Sequence, residues 1–189
     1  AINHANNDYN VIIGQDAGTG GNGGTMSYNV AIGGNALIAQ NFTTATNAYN
    51  TAVGANAGSS VTTGTKNTFV GGLSGDATTT ATENTAVGYN SATGTTTGGQ
   101  NTSVGAESFV SNTTGASNTA LGYGALYSNT TASYNTAVGR DALIVNTTGT
   151  QNTSVGHNAL DANTTASNNT AVGFSSLTDN QTGASNAAF

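Results

Sequence analysis

Few residues in this chain have the chemistry for catalysis. Histidine occurs twice, at His4 and His157, and cysteine is absent. An acid–base or nucleophilic centre would have to use one of those imidazoles. His157, however, occupies a sequence position that is filled elsewhere by Tyr123, Arg140 and Phe174, which marks a solvated side chain. The carboxylates Asp76, Asp141, Asp161, Asp179, Glu83 and Glu107 are scattered in the same way. Glycoside cleavage needs two carboxyl groups about 5–10 Å apart, and Glu83 and Glu107 fall in different columns of different repeats with no partner evident for either, so solubility is the better reading of both. Repeating calcium loops need an Asp in every repeat, whereas the recurring polar residues here are neutral Asn and Thr; an isolated ion near Asp8 or Asp16 is the remaining option. Gly18 to Gly24 is glycine-rich but lacks the Lys-Ser/Thr of a phosphate loop. The sequence therefore supplies no catalytic, metal-binding or cofactor-binding residues, and the expectation is a protein that is not an enzyme.

Composition narrows the class further. Charged residues make up 5% of the 189 residues, against about a quarter in ordinary globular chains. Eight acids face only Lys66 and Arg140, giving a formal charge of −6; without a basic patch, nucleic-acid binding is not expected. No apolar run approaches the roughly 20 residues of a membrane-spanning helix. Proline is absent and charge is low, unlike the usual disordered segment. What remains is a regular backbone held by hydrogen bonds and thin apolar columns.

The elements that carry these residues are repeats. An anchor asparagine falls at Asn10, Asn29, Asn50, Asn67, Asn84, Asn101, Asn118, Asn135, Asn152, Asn169 and Asn186. The first two spacings are 19 and 21, and every later one is 17. Residues 1–49 thus form irregular first coils with loop insertions at Gly18–Gly24 and Ile38–Tyr49, and residues 50–189 form a strict array, the two making one continuous unit. The chain starts at Ala1 and stops at Phe189 inside a repeat, as a piece of a longer array would.

The register is N-T-A-V-G-x-x-A-L-x-x-N-T-T-G-x-x, numbered here from the anchor Asn as position one. Position four is aliphatic in every full repeat, including Val53, Val87 and Val138, and is read as the buried column. Position five is always glycine, as at Gly54, Gly88 and Gly139, which implies a positive φ or a close backbone approach. The second Thr of the Asn-Thr-Thr segment, as in Thr114 and Thr148, is unbroken from Thr63 to Thr182. That segment also matches a glycosylation sequon at Asn112, Asn129, Asn146 and Asn163; a recurrent structural Asn is the preferred reading.

A 17-residue unit with one Val and one Leu cannot bury itself. Thr, Asn and Gly are poor helix formers, and two short strands of four to six residues per unit fit the turn residues. Stacking the units in register, about 4.8 Å apart, turns each position into a ladder: the Asn column from Asn50 to Asn169, the Val and Gly columns, and the Thr column. Buried amides bond along such ladders. The fold expected is all-β, a parallel β-solenoid of 17-residue coils forming a rod of roughly 50 Å. Alternation along Thr136-Ala137-Val138 puts Ala137 opposite Val138; with Val inward, the small position-three column becomes a second face for neighbouring chains, most simply three about a fibre axis.

With the register laid out, Asn29-Val30-Ala31-Ile32-Gly33 resembles the N-S-V-A-I-G repeat of trimeric autotransporter adhesin heads, and the longer NTAVG-xx-AL-xx-NTTG unit resembles shaft repeats of phage tail fibres. The resemblance covers Asn10 to Phe189. It implies a left-handed parallel β-roll that trimerises and serves attachment at a cell or virion surface, outside the cell, with a host-surface receptor or glycan as partner. The adhesin repeat is shorter than the unit found here, which implies a larger or differently looped cross-section. The competing expectation is a ligand-binding solenoid face, for ice or for glycans, suggested by the rank Thr51, Thr68, Thr85 and onward. A Thr-x-Thr pair on one face is missing from the regular unit, and this counts against ice.

Overall fold

The computed structural model describes residues 9–20 and 26–189. His4, Asp8 and residues 21–24 of the glycine-rich insertion lie outside the described residues. Each repeat is one turn of a solenoid of about ten turns. The strands, in chain order, are β1 (Val11–Ile13), β2 (Met26–Ser27), β3 (Val30–Ile32), β4 (Thr46–Asn47), β5 (Thr51–Val53), β6 (Thr68–Val70), β7 (Thr85–Val87), β8 (Thr102–Val104), β9 (Thr119–Leu121), β10 (Thr136–Val138), β11 (Thr153–Val155), β12 (Thr170–Val172) and β13 (Ala187–Ala188). All except β2 and β4 form one eleven-stranded parallel sheet in sequence order. Its register is that of the repeat: Thr136 lies beside Thr153, Ala137 beside Ser154 and Val138 beside Val155.

Two expectations about the coil are corrected. The first concerns strand length: a regular coil carries one three-residue strand, not two of four to six. The reason is the number of backbone reversals. In the coil that starts at Asn135, left-handed φ values occur at Gly139 (133°), Asp141 (56°), Leu143 (51°) and Gln151 (59°). Each non-glycine case costs on the order of 1 kcal/mol. Bonds to the coils on either side hold these reversals in place: Asp141 N–H donates to Tyr123 O at 2.9 Å and Leu143 N–H to Ala159 O at 3.1 Å.

The second correction concerns the faces of the strand. Position three is the inner column: Ala52, Ala86, Ala120, Ala137 and Ala171 are fully buried. Val53, Val87 and Val138 are half-exposed, and their equivalents Leu121 and Val172 reach 45% and 36% exposure. The bore is too narrow for a larger residue at position three in most coils. It is already filled by the small position-eight residue and by Leu126, Leu143 and Leu160 at position nine, all fully buried. Two aromatics enter this core, Phe69 at position three and Phe109 at position nine. Position nine is glycine in the coil of Phe69 and in the one before it: a Cβ on Gly58 would lie 2.8 Å from the Phe69 ring, and one on Gly75 would also strike that ring.

The insertion at Ile38–Tyr49 is packed rather than loose. β4 pairs in parallel with β2, Phe42 and Ala48 make a small core of their own, and Asn41 N–H donates to Thr62 O of the next coil at 2.9 Å.

The Asn columns close the interior. At position one each side-chain oxygen takes the backbone N–H of the next Asn, as from Asn152 to Asn135 at 2.9 Å. Each Nδ2 in the coils from Asn50 to Asn152 donates to the carbonyl fourteen residues on, as from Asn135 to Gly149 at 2.8 Å. Direct amide-to-amide bonds at this position join Asn67 to Asn50 and Asn118 to Asn101, both at 3.2 Å, and Asn186 to Asn169 at 3.1 Å. A second ladder runs at position twelve, where Asn129, Asn146 and Asn163 each donate to the Asn before it. Replacing Asn135 by alanine leaves the Asn152 N–H unpaired in a buried place and takes one of two donors from the Gly149 carbonyl, which keeps Asn146 Nδ2 at 3.0 Å. Unfolding in urea is expected to show a loss of about 1–3 kcal/mol. The exposed Gln151→Ala variant in the same coil should stay within about 0.5 kcal/mol of the parent.

Candidate functional site

The chemistry-bearing side chains sit on the outside and are engaged one by one. His157 stacks on Phe174 with ring centroids 5.3 Å apart and planes 7° from parallel, while Phe174 itself is 78% exposed. Arg140 Nε donates to Asp141 at 3.0 Å, and its guanidinium lies 5.6 Å from the centre of the Tyr123 ring. Tyr123 donates its hydroxyl to Glu107 at 2.8 Å, and that bond raises the Tyr123 pKa. Glu83 accepts from Lys66 Nζ and from Gln100 Nε2, both at 3.2 Å; the Lys66 hydrogen bond, then Gln100, hold its carboxyl below the usual range. Asp76 and Asp161 each accept from a Thr one coil later, Thr93 and Thr178. Among the described residues no group of three or more His, Asp or Glu converges as a metal site would require. No helix among them is long and apolar enough to cross a membrane.

The Thr columns differ from one another. Thr114 and Thr148 are exposed. The hydroxyl ladder is one residue earlier: Thr113 donates to Thr130 O and Thr147 to Thr164 O, both at 3.1 Å. Sequence reasoning chose the less interrupted of the two columns, but regular recurrence alone does not say which hydroxyl turns back onto the backbone. The sequon residues Asn112, Asn129, Asn146 and Asn163 are fully buried, and each Nδ2 donates to the carbonyl three residues on. They are inaccessible as glycan acceptors in the folded chain.

What the structure brings together is the outer face of the large sheet. Positions two and four point outward from every strand, so this face is a double column of Thr and aliphatic residues with no charged residue in it. Toward the first coils the Thr column turns apolar, with Val11 and Val30 beside Ile13 and Ile32. There the residue before each anchor Asn is tyrosine, and Tyr9, Tyr28 and Tyr49 stack with centroids 5.0 Å apart. Monomeric proteins seldom expose a long contiguous apolar strip unless it meets something. The signal for this face lay in the sequence: the position-four residue is always aliphatic yet never changes size in step with the core positions three and nine. Comparison with protein-family models, with curated proteins and with solved structures found no match.

Proposed function

We propose that this chain is a shaft segment of an extracellular fibre, on a cell or a virion, with a mechanical role in attachment and no enzymatic activity. Copies of it associate through the outer face of the large sheet, three about a common axis. The observation that carries this reading is the unbroken, uncharged column of half-exposed aliphatic residues from Ile13 to Val172, one per coil, on a rod whose every coil is tied to the next by backbone hydrogen bonds. Burying that column between copies removes it from water along the whole rod, and the in-register ladders supply stiffness. Receptor contacts would then come from the variable columns or from the first coils.

Sedimentation equilibrium tests the assembly. The expected mass is three times the 18.5 kDa of one chain. A Val104→Lys, Val138→Lys double variant is expected to sediment as a monomer while keeping the circular dichroism of the parent, because both side chains point away from the core. A parent protein that remains monomeric at high concentration would sink the reading.

A second reading rests on the other exposed rank. Thr63, Thr80, Thr97, Thr114, Thr131, Thr148 and Thr165 are exposed in consecutive coils, on a rigid scaffold that presents them at even spacing. A monomeric solenoid that binds ice or a glycan along this rank is the alternative. Thermal hysteresis in the purified protein would favour the ice form of it.

A further inference from the structure

Two position-one side-chain amides of the described residues have an Nδ2 without a partner, that of Asn169 near the end of the array and that of Asn29, which begins a coil of irregular length. In the coils from Asn50 to Asn152 the position-one Nδ2 finds the carbonyl fourteen residues on: Asn50 reaches Gly64 at 2.8 Å, Asn84 reaches Gly98 at 2.9 Å and Asn152 reaches Ala166 at 2.8 Å. The Asn29 coil runs on to Asn50 and is longer than a regular one, and the inserted residues leave no carbonyl in the equivalent place. Asn29 is 3% exposed and its Nδ2 has no partner. The amide cannot simply turn over, because its oxygen accepts the Asn50 N–H at 3.0 Å.

A second donor is orphaned beside it for a different reason. Gln40 stands at position twelve, the column that later becomes the Asn112–Asn163 ladder. Its neighbour on the next rung is Val61, which offers no acceptor. Gln40 is 1% exposed and its Nε2 has no partner. Asn29 and Gln40 line the same cavity, closed on its apolar side by Ile12, Ala31 and Leu37, with a volume of about 10 Å³. That is the room one water requires, given two or more polar neighbours. A halide ion, the other small acceptor, is larger.

We propose that this cavity is a binding site for a single water molecule whose oxygen accepts the N–H groups of Asn29 Nδ2 and Gln40 Nε2. Asn10 lines the cavity as well, and its side-chain oxygen already takes the Asn29 backbone N–H at 2.7 Å. The water takes the place of the carbonyl that the longer coil displaced. It joins the position-one and position-twelve columns at the point where the irregular start meets the regular array.

The test is a crystal structure of the full chain at a resolution that shows ordered water, from crystals grown once in chloride and once in bromide. A peak within hydrogen-bond distance of both nitrogens, without anomalous signal in bromide, is the expected result. An empty cavity, a Gln40 side chain turned elsewhere, or an anomalous bromide peak overturns the proposal. In solution, the Asn29 side-chain amide protons are expected to show a cross-relaxation peak to water with the sign of a long-lived molecule, and this peak should disappear in Gln40→Leu. Should that variant not fold, the parent spectrum decides alone: an Asn29 amide with no such peak is a negative result.

Discussion

Replacing Gly139 by alanine is expected to lower the unfolding free energy by more than about 3 kcal/mol, the sum of two separate costs. Gly139 has φ of 133°, a conformation that a residue with a Cβ adopts only at a cost on the order of 1–3 kcal/mol. The new Cβ would also lie 2.5 Å from the carbonyl oxygen of Gly156 in the next coil. That oxygen belongs to backbone and cannot swing away: Gly156 N–H donates to Val138 O at 2.8 Å and Gly139 N–H to Leu121 O at 2.8 Å, so moving either coil strains the sheet on both sides. Gly173 separates the two costs. Its φ is 130°, but a Cβ there meets nothing nearer than 3.9 Å in this chain. Gly173→Ala should therefore show the conformational cost alone. Equilibrium unfolding of the two variants side by side measures the difference. Equal losses would mean that the close approach between coils carries no weight. Because each coil touches only its neighbours, the Gly139 variant should also admit protease in the middle of the array before the ends are lost.

The repeat made the length of the coil, the parallel stacking and the glycine requirement legible, since each depends only on what recurs from one anchor Asn to the next. The inside and outside of the strand were not legible from alternation, which divides Thr136 and Val138 from Ala137 but does not say which side is the core. The habit of placing the larger aliphatic inward chose Val138, and the structure puts Ala137 there because Leu143 and Ala142 already fill the bore from the opposite wall. The deciding signal was present in the chain: where position three becomes Phe69, position nine is Gly58 and Gly75, and such compensation in size happens only between residues that share a core. The hydroxyl ladder at Thr113 and Thr147, the β2–β4 pair, and the left-handed Asp141 and Leu143 depend on backbone geometry that composition does not express. Leu143 at φ 51° is the least foreseeable of these, since a branched residue rarely takes that conformation.

The same compensation gives the second large effect. Phe69 is fully buried in a column otherwise made of Ala and Ser in the array, and its ring occupies the space that a position-nine side chain takes elsewhere. Phe69→Ala should open a cavity and cost about 3–5 kcal/mol. Gly75→Leu alone should also destabilise, because the Phe69 ring stands where its Cβ must go. Together the two changes rebuild the arrangement of Ala137 with Leu143. The left-handed backbone at Gly75, φ 60°, is close to the 51–53° at which Leu126, Leu143 and Leu160 already sit, so leucine meets no new conformational barrier there. The double variant is expected to recover most of what Phe69→Ala loses, with a favourable coupling above about 1 kcal/mol in the double-mutant cycle. Any stabilisation from removing a glycine from the unfolded chain enters Gly75→Leu with and without Phe69 and so cancels in the cycle. Additive losses would show that the two columns do not share one core volume. A large positive coupling would show that the solenoid interior conserves volume from coil to coil, by exchanging bulk between the strand and the turn that faces it.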